Sequence, residues 1–481
     1  MSETARLLAL QRAAAPLEPD AGAREALAGL TIGHAEAFLA ALEEGPSYAA
    51  WTEANAAALA APFPESGREP EAVLAEFDAC VARPGITTAS GRFTGYIPGG
   101  GLFHAALGDF LAAATNKYSG FAPAAPGAVR LENAVASWLA RVIDMPEGAA
   151  GVLTSGGSMA NLTAIVAARE AADPDGGGAI YLTGFAHHCI DKALRIAGRA
   201  RSPRRLIATD ERHRMRADAL AEALEQDRAD GIRPWLIVAS AGTVDTGTVD
   251  PLAEIAALAT EYRAWLHVDG AYGGLFMLCE EGRAALGGIE QADSVALDPH
   301  KTLFLPYGTG AVVVREGRKL FEAFSASADY IQEFAANDVG PSPANLSPEL
   351  TRHFRALRLW LPLQLAGVAA FRAAQSEKIG LARYFHARLS DMPDWDAGPP
   401  PDLSVVAFRY RGSNAFNDGL LERLQQDGRV FLSGTRIQGE TWLRCAILSF
   451  RTHLAHIDET IDVLATTAAA LQAESRDESA E

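Results

Sequence analysis

At 481 residues, 49% hydrophobic and 21% charged, the chain is long enough for one large and one or two smaller domains around an ample core, with disorder expected only at its ends. Asp and Glu number 60 against 42 Lys and Arg; the net charge of −18, with no basic stripe, argues against nucleic acid and anionic membrane as partners. Four scattered cysteines without a Cys-x-x-Cys pair read as reduced thiols, and residues 1–6 lack a basic region followed by an apolar core, so a cytoplasmic protein is expected.

The first 60 or so residues are Ala-rich and helical, with Ala35, Phe38, Leu39 and Leu42 on one face. Pro62, Pro64 and Pro70 interrupt the chain before a helix over 71–82, which closes an N-terminal helical segment, residues 1–85. From 86 to 375 strands and helices alternate, predicting an α/β domain with a mainly parallel sheet covered by helices on both faces.

Within that domain, residues 151–161 form a Gly/Ser turn opening into a helix over 162–169. Its glycine amides, the Ser158 hydroxyl and the helix N-terminus can hold a phosphate. No Gly-Lys-Ser/Thr follows, so it is not a Walker loop, and alone it would read as an ordinary capped turn. A short strand at 181–183 leads to His187 and His188 at a helix start, where an imidazole can stack on a ring or move a proton. Cys189 has no second cysteine nearby, and no metal site is expected. Residues 236–243, ending in Gly242 and Thr243, read as a strand, and Asp250-Pro251-Leu252 starts the return helix of a βαβ unit.

The apolar run 264–268 reads as a buried parallel strand with Asp269 at its C-terminal end, where open α/β sheets meet their ligands; Gly270 and Ala271 leave room for a flat ring. A second strand, 293–297, is followed by Pro299, and Lys301 is expected on a loop at the same sheet edge. Alone, such a lysine is usually a solvated charge and such an aspartate a helix cap. Together, on two strand ends, they point to pyridoxal phosphate, which needs a lysine to hold its aldehyde and an acid at its pyridine nitrogen.

Residues 325–348, with three prolines near the end, read as a long mobile loop suited to a lid. A small C-terminal domain, 376–481, is expected to hold a strand at 404–410, a helix at 417–427 ending at Gly428, and a hairpin of 430–432 with 442–448. A closing helix, 456–471, precedes a disordered acidic tail.

Seven segments carry a resemblance: 91–96 (Gly-Arg-Phe-Thr-Gly-Tyr), 154–161, Ala186-His187, Gly242-Thr243, 267–272 (His-Val-Asp-Gly-Ala-Tyr), Asp298-Pro299-His300-Lys301 and 354–360. In this order they are similar to the group II pyridoxal-phosphate-dependent decarboxylases, which include the aromatic-L-amino-acid, glutamate and histidine decarboxylases, over roughly residues 64–370. The resemblance implies a fold-type-I pyridoxal-phosphate-dependent transferase fold. It also implies a homodimer with shared active sites, N-terminal helices wrapped on the partner, and decarboxylation of an L-amino acid to the amine. Position by position, Lys301 resembles the Schiff-base lysine, Asp269 the partner of the pyridine nitrogen, and His187 the stacked histidine, with Ala271 on the opposite face. Gly157 and Ser158 are similar to the phosphate-binding pair, Gly242-Thr243 belongs to the matched set, and Asp298 and His300 fall beside the phosphate and the lysine linkage.

Several positions depart from the family. Asp298 stands where some members have Asn, so its carboxylate must be offset by a donor or turned away from a phosphate. Decarboxylating members carry a loop tyrosine shortly before the Phe-Arg-x-Leu segment; residues 338–348 have none, and Tyr330 is the only candidate between Tyr307 and Tyr384. Without it, the carbanion is protonated by His187 or oxidised to give an aldehyde; a lyase or aminotransferase reaction is a further alternative. The family's aromatic substrate wall falls near Tyr118 and Gly120, and a tryptophan falls at Thr88, while Tyr96, Ile97 and Pro98 keep part of the wall; the side-chain preference stays open. Arg355 reads equally well as a salt bridge at a helix start.

Overall fold

Short segments between residues 150 and 314, aliphatic except for the edge strand Arg204–Leu206, pair into one seven-stranded sheet: β1 Ala150–Thr154, β2 Ala179–Leu182, β3 Arg204–Leu206, β4 Pro234–Ser240, β5 Trp265–Gly270, β6 Ser294–Leu297 and β7 Gly310–Val314. The spatial order is β1-β7-β6-β5-β4-β2-β3, and only β7 runs against its neighbours. The computed structural model describes residues 2–325 and 339–477. The whole of β4 is buried, as a parallel strand covered by helices on both faces requires. Ile237 and Ala239 pack in one apolar layer and Leu236 and Val238 in the other, so the sheet separates two cores.

This topology brings the chemistry to one edge. Asp269, next to last in β5, is in register with Ser240 of β4 and Ala296 of β6, so three strands end together. Lys301 stands on a single helical turn, Pro299–Thr302, rather than on the expected loop. Proline at the first helical position needs no N–H partner, so Pro299, two residues after β6 ends, can start the turn. The helix expected from 162 begins at Gly157 and runs to Ala172, because its small residues let it lie close on the sheet; Ala160 and Ala164 are fully buried there.

Toward the C-terminus, β8 Trp395–Asp396, β9 Val405–Tyr410, β10 Ser433–Ile437 and β11 Glu440–Ala446 form an antiparallel sheet in the order β8-β9-β11-β10. The hairpin differs from expectation: its first strand is β10, and residues 430–432 precede it, with Phe431 bridging to Phe93. β10 is polar and half exposed, which hides it in a hydrophobicity pattern. Its turn is legible, since Gln438 and Gly439 both have positive φ, 52° and 83°, as a two-residue hairpin demands. The helix Asn414–Asp427 is capped by Ser413, whose Oγ accepts from Phe416 N at 3.1 Å, and ends at Gly428 with φ 74°.

The chain divides into two units, Met1–Ser90 and Gly91–Glu481. The first holds the helices Glu3–Ala14, Ala21–Ala40, Glu53–Leu59 and Pro70–Phe77 and a two-residue strand pair, Tyr48–Ala49 with Gly85–Ile86. The helix expected over 71–82 starts at Pro70, and its last turn, Asp78–Ala82, widens so that Arg83 N donates to Asp78 O at 3.1 Å. Of the segment read as a mobile loop, residues 326–338, including Tyr330, lie outside the described residues, as does the end of the acidic tail. The remainder is anchored: Asn133 Nδ2 donates to Val339 O (2.9 Å) and Pro341 O (3.1 Å), and Ser342 and Leu346 are buried. Arg355 makes a two-pronged ion pair with Glu349 at 2.7 and 2.9 Å, the structural alternative for that residue. Among the described residues no helix is long and apolar enough to cross a membrane.

Candidate active site

The C-terminal ends of β4, β5 and β6 and the start of the helix Gly157–Ala172 surround a cavity of about 340 Å³. Gly157, Ser158, His187, Thr243, Asp269, Ala271, Asp298, His300 and Lys301 all line it. No side chain caps the helix start, so its first amides are left for a ligand, and the helix dipole favours an anion there. Gly157 leaves the cradle open: a Cβ at this position would lie 2.7 Å from Asp298 Oδ2 and 3.1 Å from Ala271 Cβ. Gly157→Ala should therefore weaken pyridoxal phosphate binding by about tenfold or more, read by absorbance titration, while Gly127→Ala, in open space on a helix, should not.

Lys301 Nζ lies 3.0 Å from Asp298 Oδ2. Burial pushes the lysine's pKa down, but the carboxylates of Asp298 and Asp269 outweigh it and hold the group above the usual lysine range, so it is an ammonium at rest. This contact supplies the donor that a carboxylate beside a phosphate requires. Asp298 itself is 2% exposed, and its Oδ1 is buried with no hydrogen-bond partner among the described residues.

Both oxygens of the Asp269 carboxylate are held. Oδ2 accepts from Asn161 Nδ2 at 3.2 Å, and Oδ1 accepts from the backbone N of Ala271 at 3.1 Å. His187 Nδ1 accepts from Cys189 N at 3.2 Å, which places its ring proton on Nε2. Burial lowers its pKa against the pull of Asp269, so a neutral, flat imidazole lines the wall. His300 Nδ1 donates to Thr309 O at 2.7 Å, which leaves Nε2 as an acceptor, and burial holds this ring below its ordinary pKa as well. Thr243 Oγ1 shares a proton with Thr246 Oγ1 at 2.9 Å. Gly242 before it has φ 98°, and a Cβ there would meet the Tyr272 ring at 2.5 Å.

This donor set fits pyridoxal phosphate: an open helix N-terminus for the phosphate, a carboxylate at a strand end for the ring nitrogen, a neutral imidazole on the wall and a lysine at the floor.

Of the substrate-wall candidates, Tyr96, Ile97, Pro98, Tyr118 and Gly120 are not among the residues lining the cavity. Tyr96 is 58% exposed in a left-handed conformation (φ 51°), with its N–H donated to Ser433 Oγ at 3.0 Å. Ile97 and Pro98 lead to Gly99, whose backbone lies so close to His300 that a Cβ would come within 2.8 Å of its carbonyl oxygen. Gly120 is a glycine for packing, since a Cβ would lie 2.1 Å from Leu350 O, and Tyr118 beside it is partly exposed. Thr88 belongs to the N-terminal unit, where its N–H donates to Ile86 O at 3.0 Å.

Asn161, Cys189, Phe185 and Tyr272 also line the cavity and were not singled out as site residues. Asn161 had a signal: it is four residues after Gly157 and shares its helix face. His267 had one too, standing two residues before Asp269 on the same strand face.

Residues 54–411 match the model of the pyridoxal-dependent decarboxylase conserved domain. An aromatic-L-amino-acid decarboxylase of Bacillus atrophaeus is 35% identical over 81% of this chain and 84% of its own length. A phenylacetaldehyde synthase of Arabidopsis thaliana is 29% identical over 79% of this chain and 82% of its own. The crystal structure of Catharanthus roseus tryptophan decarboxylase in complex with L-tryptophan superposes with a TM-score of 0.87 at 25% identity, covering 94% of this chain and 99% of that one. The architecture is thus the fold-type-I α/β arrangement.

Proposed function

Since the chain belongs to the pyridoxal-dependent decarboxylase family, and so uses pyridoxal phosphate to remove the carboxylate of an amino acid, we propose that Lys301, Asp269 and His187 carry out that reaction in the cavity at the ends of β4, β5 and β6. The observation that carries this reading is the single cavity in which Lys301 is ion-paired to Asp298, Asp269 is held by two donors, and an uncapped helix start faces both. When bound, the cofactor supplies an electron sink that takes up the electron pair left on the α-carbon as carbon dioxide departs.

The chain's own groups do the rest. Lys301 would hold the cofactor's aldehyde carbon, which requires Nζ to lose the proton that its ion pair with Asp298 Oδ2, at 3.0 Å, holds on it at rest. Asp269 would keep the ring nitrogen protonated through a charge-assisted hydrogen bond. The amides at Gly157 and Ser158 and the Ser158 hydroxyl would bind the phosphate, with Thr243 and His300 on the adjoining walls. Neutral His187 and the methyl group of Ala271 would sandwich the ring, and His187, after taking up a proton, would be the group to protonate the α-carbon where no loop tyrosine does so.

The assembly we propose is a cytoplasmic homodimer with active sites shared between subunits. Residues 1–85 wrap the partner, 86–375 bind the cofactor, and 376–481 form the small domain. Incubation of the holoenzyme with each common L-amino acid, aromatic ones first because of the relatives' names, tests the reaction. Carbon dioxide released one-for-one with an amine is expected; no release from any amino acid would overturn it. One observation favours a second reading, oxidative decarboxylation to an aldehyde: residues 339–348 contain no tyrosine, and a plant relative is named an aldehyde synthase. Hydrogen peroxide formed in step with carbon dioxide would select it.

A further inference from the structure

Trp265, His267 and Asp269 alternate along β5 and so face the same side of the sheet, toward the helix Gly157–Ala172. Ser294 on β6 is in register with His267. These residues form an unbroken hydrogen-bonded file that ends on the carboxylate. Trp265 Nε1 lies 2.8 Å from Ser294 Oγ, Ser294 Oγ 2.9 Å from His267 Nδ1, His267 Nε2 2.7 Å from Asn161 Oδ1, and Asn161 Nδ2 3.2 Å from Asp269 Oδ2. The second amide hydrogen of Asn161 meets Cys189 Sγ, also at 3.2 Å. Trp265, Ser294, His267, Asn161 and Cys189 are all buried.

One placement of protons satisfies every member. An indole N–H can only donate, so Ser294 Oγ accepts and passes its own hydrogen to His267 Nδ1. His267 therefore carries its proton on Nε2 and donates to Asn161 Oδ1, which turns the amide NH₂ toward Asp269. The reverse amide would set an oxygen 3.2 Å from a carboxylate oxygen, a repulsive contact in a buried site. Burial holds the His267 pKa down to about 4, so the ring is neutral at physiological pH and the tautomer is set by its two partners.

We propose that Trp265, Ser294, His267 and Asn161 are positioning residues that fix the orientation of the Asp269 carboxylate and aim its free lone pairs at the cofactor's ring nitrogen. The inference rests on the assignment of Asp269 made above. The three side chains behind Asn161 are buried behind the cavity wall and act only through the amide, which takes its direction from His267 and passes it to Asp269.

The test uses full-length His267→Phe, His267→Gln, Ser294→Ala and Asp269→Ala. For each, apo-protein is titrated with pyridoxal phosphate, and the pH at which the bound cofactor's absorption band titrates is recorded. His267→Phe should bind about tenfold more weakly, the loss of one hydrogen bond to a charged group's partner, and should move the pH of the band. His267→Gln, which keeps an N–H within reach of Asn161 Oδ1, should recover most of both changes. Ser294→Ala frees the tautomer and should move the band in the same direction by less. A merely structural role would leave the pH of the band where it is. Wild-type affinity and band pH in His267→Phe, with Asp269→Ala impaired, overturn the positioning role and leave the assignment of Asp269 standing. Full affinity in Asp269→Ala overturns that assignment, and the proposal with it. If His267→Phe does not fold, Ser294→Ala decides: an unshifted band overturns the proposal.

Discussion

Lys301→Arg should lose decarboxylation by about ten-thousand-fold or more while the protein stays folded, because the guanidinium keeps the cation beside Asp298 and cannot form a covalent link to an aldehyde. Lys301→Ala should lose activity equally and also stability, by about 3 kcal/mol, since it leaves the carboxylate of Asp298, 2% exposed, without its ion-pair partner. Thermal unfolding of the two variants separates charge from chemistry. Borohydride reduction of wild-type holoenzyme followed by peptide mapping should place the pyridoxyl group on Lys301, and neither variant should take up label. A label on any other lysine would contradict the assignment.

Asp269→Asn should lower kcat by about a thousand-fold and weaken cofactor binding by about tenfold. The substitution preserves shape and removes the charge. A neutral amide cannot stabilise a protonated ring nitrogen in a buried, low-dielectric site, and its NH₂ would face that of Asn161, whose direction His267 fixes. Carbon dioxide release with saturating cofactor measures the first effect, and absorbance titration of apo-protein measures the second. Activity within about tenfold of wild type would remove Asp269 from the centre of the mechanism. The comparison with His267→Phe is informative in itself: the aspartate variant should cost much more in kcat than the histidine variant, because one changes a charge at the reacting ring and the other only the direction in which that charge is held.

Much of the site could be read from residue order. Asp269 and Lys301 were recognisable because each follows a buried apolar run, and a strand's end is where an open α/β sheet meets ligand. The uncapped helix start proposed to hold the phosphate was visible as a Gly/Ser turn before a helix, and Gly428 as the stop of another. The polar strand β10 was not, because its burial alternates without an apolar pattern, although Gln438-Gly439 marked its turn.

Sequence alone determined which strand ends gather Asp269, Asp298 and Lys301, the side chains proposed for the chemistry, since local periodicity and turn residues act over a few positions along the chain. Only the tertiary structure decided that Lys301 sits on a proline-started helical turn, that Gly120 is required by Leu350, and that Asn161 joins His267 and Asp269 across 106 and 108 residues. The physical reason is one of range. A buried amide must find its hydrogen-bond partners wherever the folded chain brings them, and no neighbour in the sequence announces which they will be.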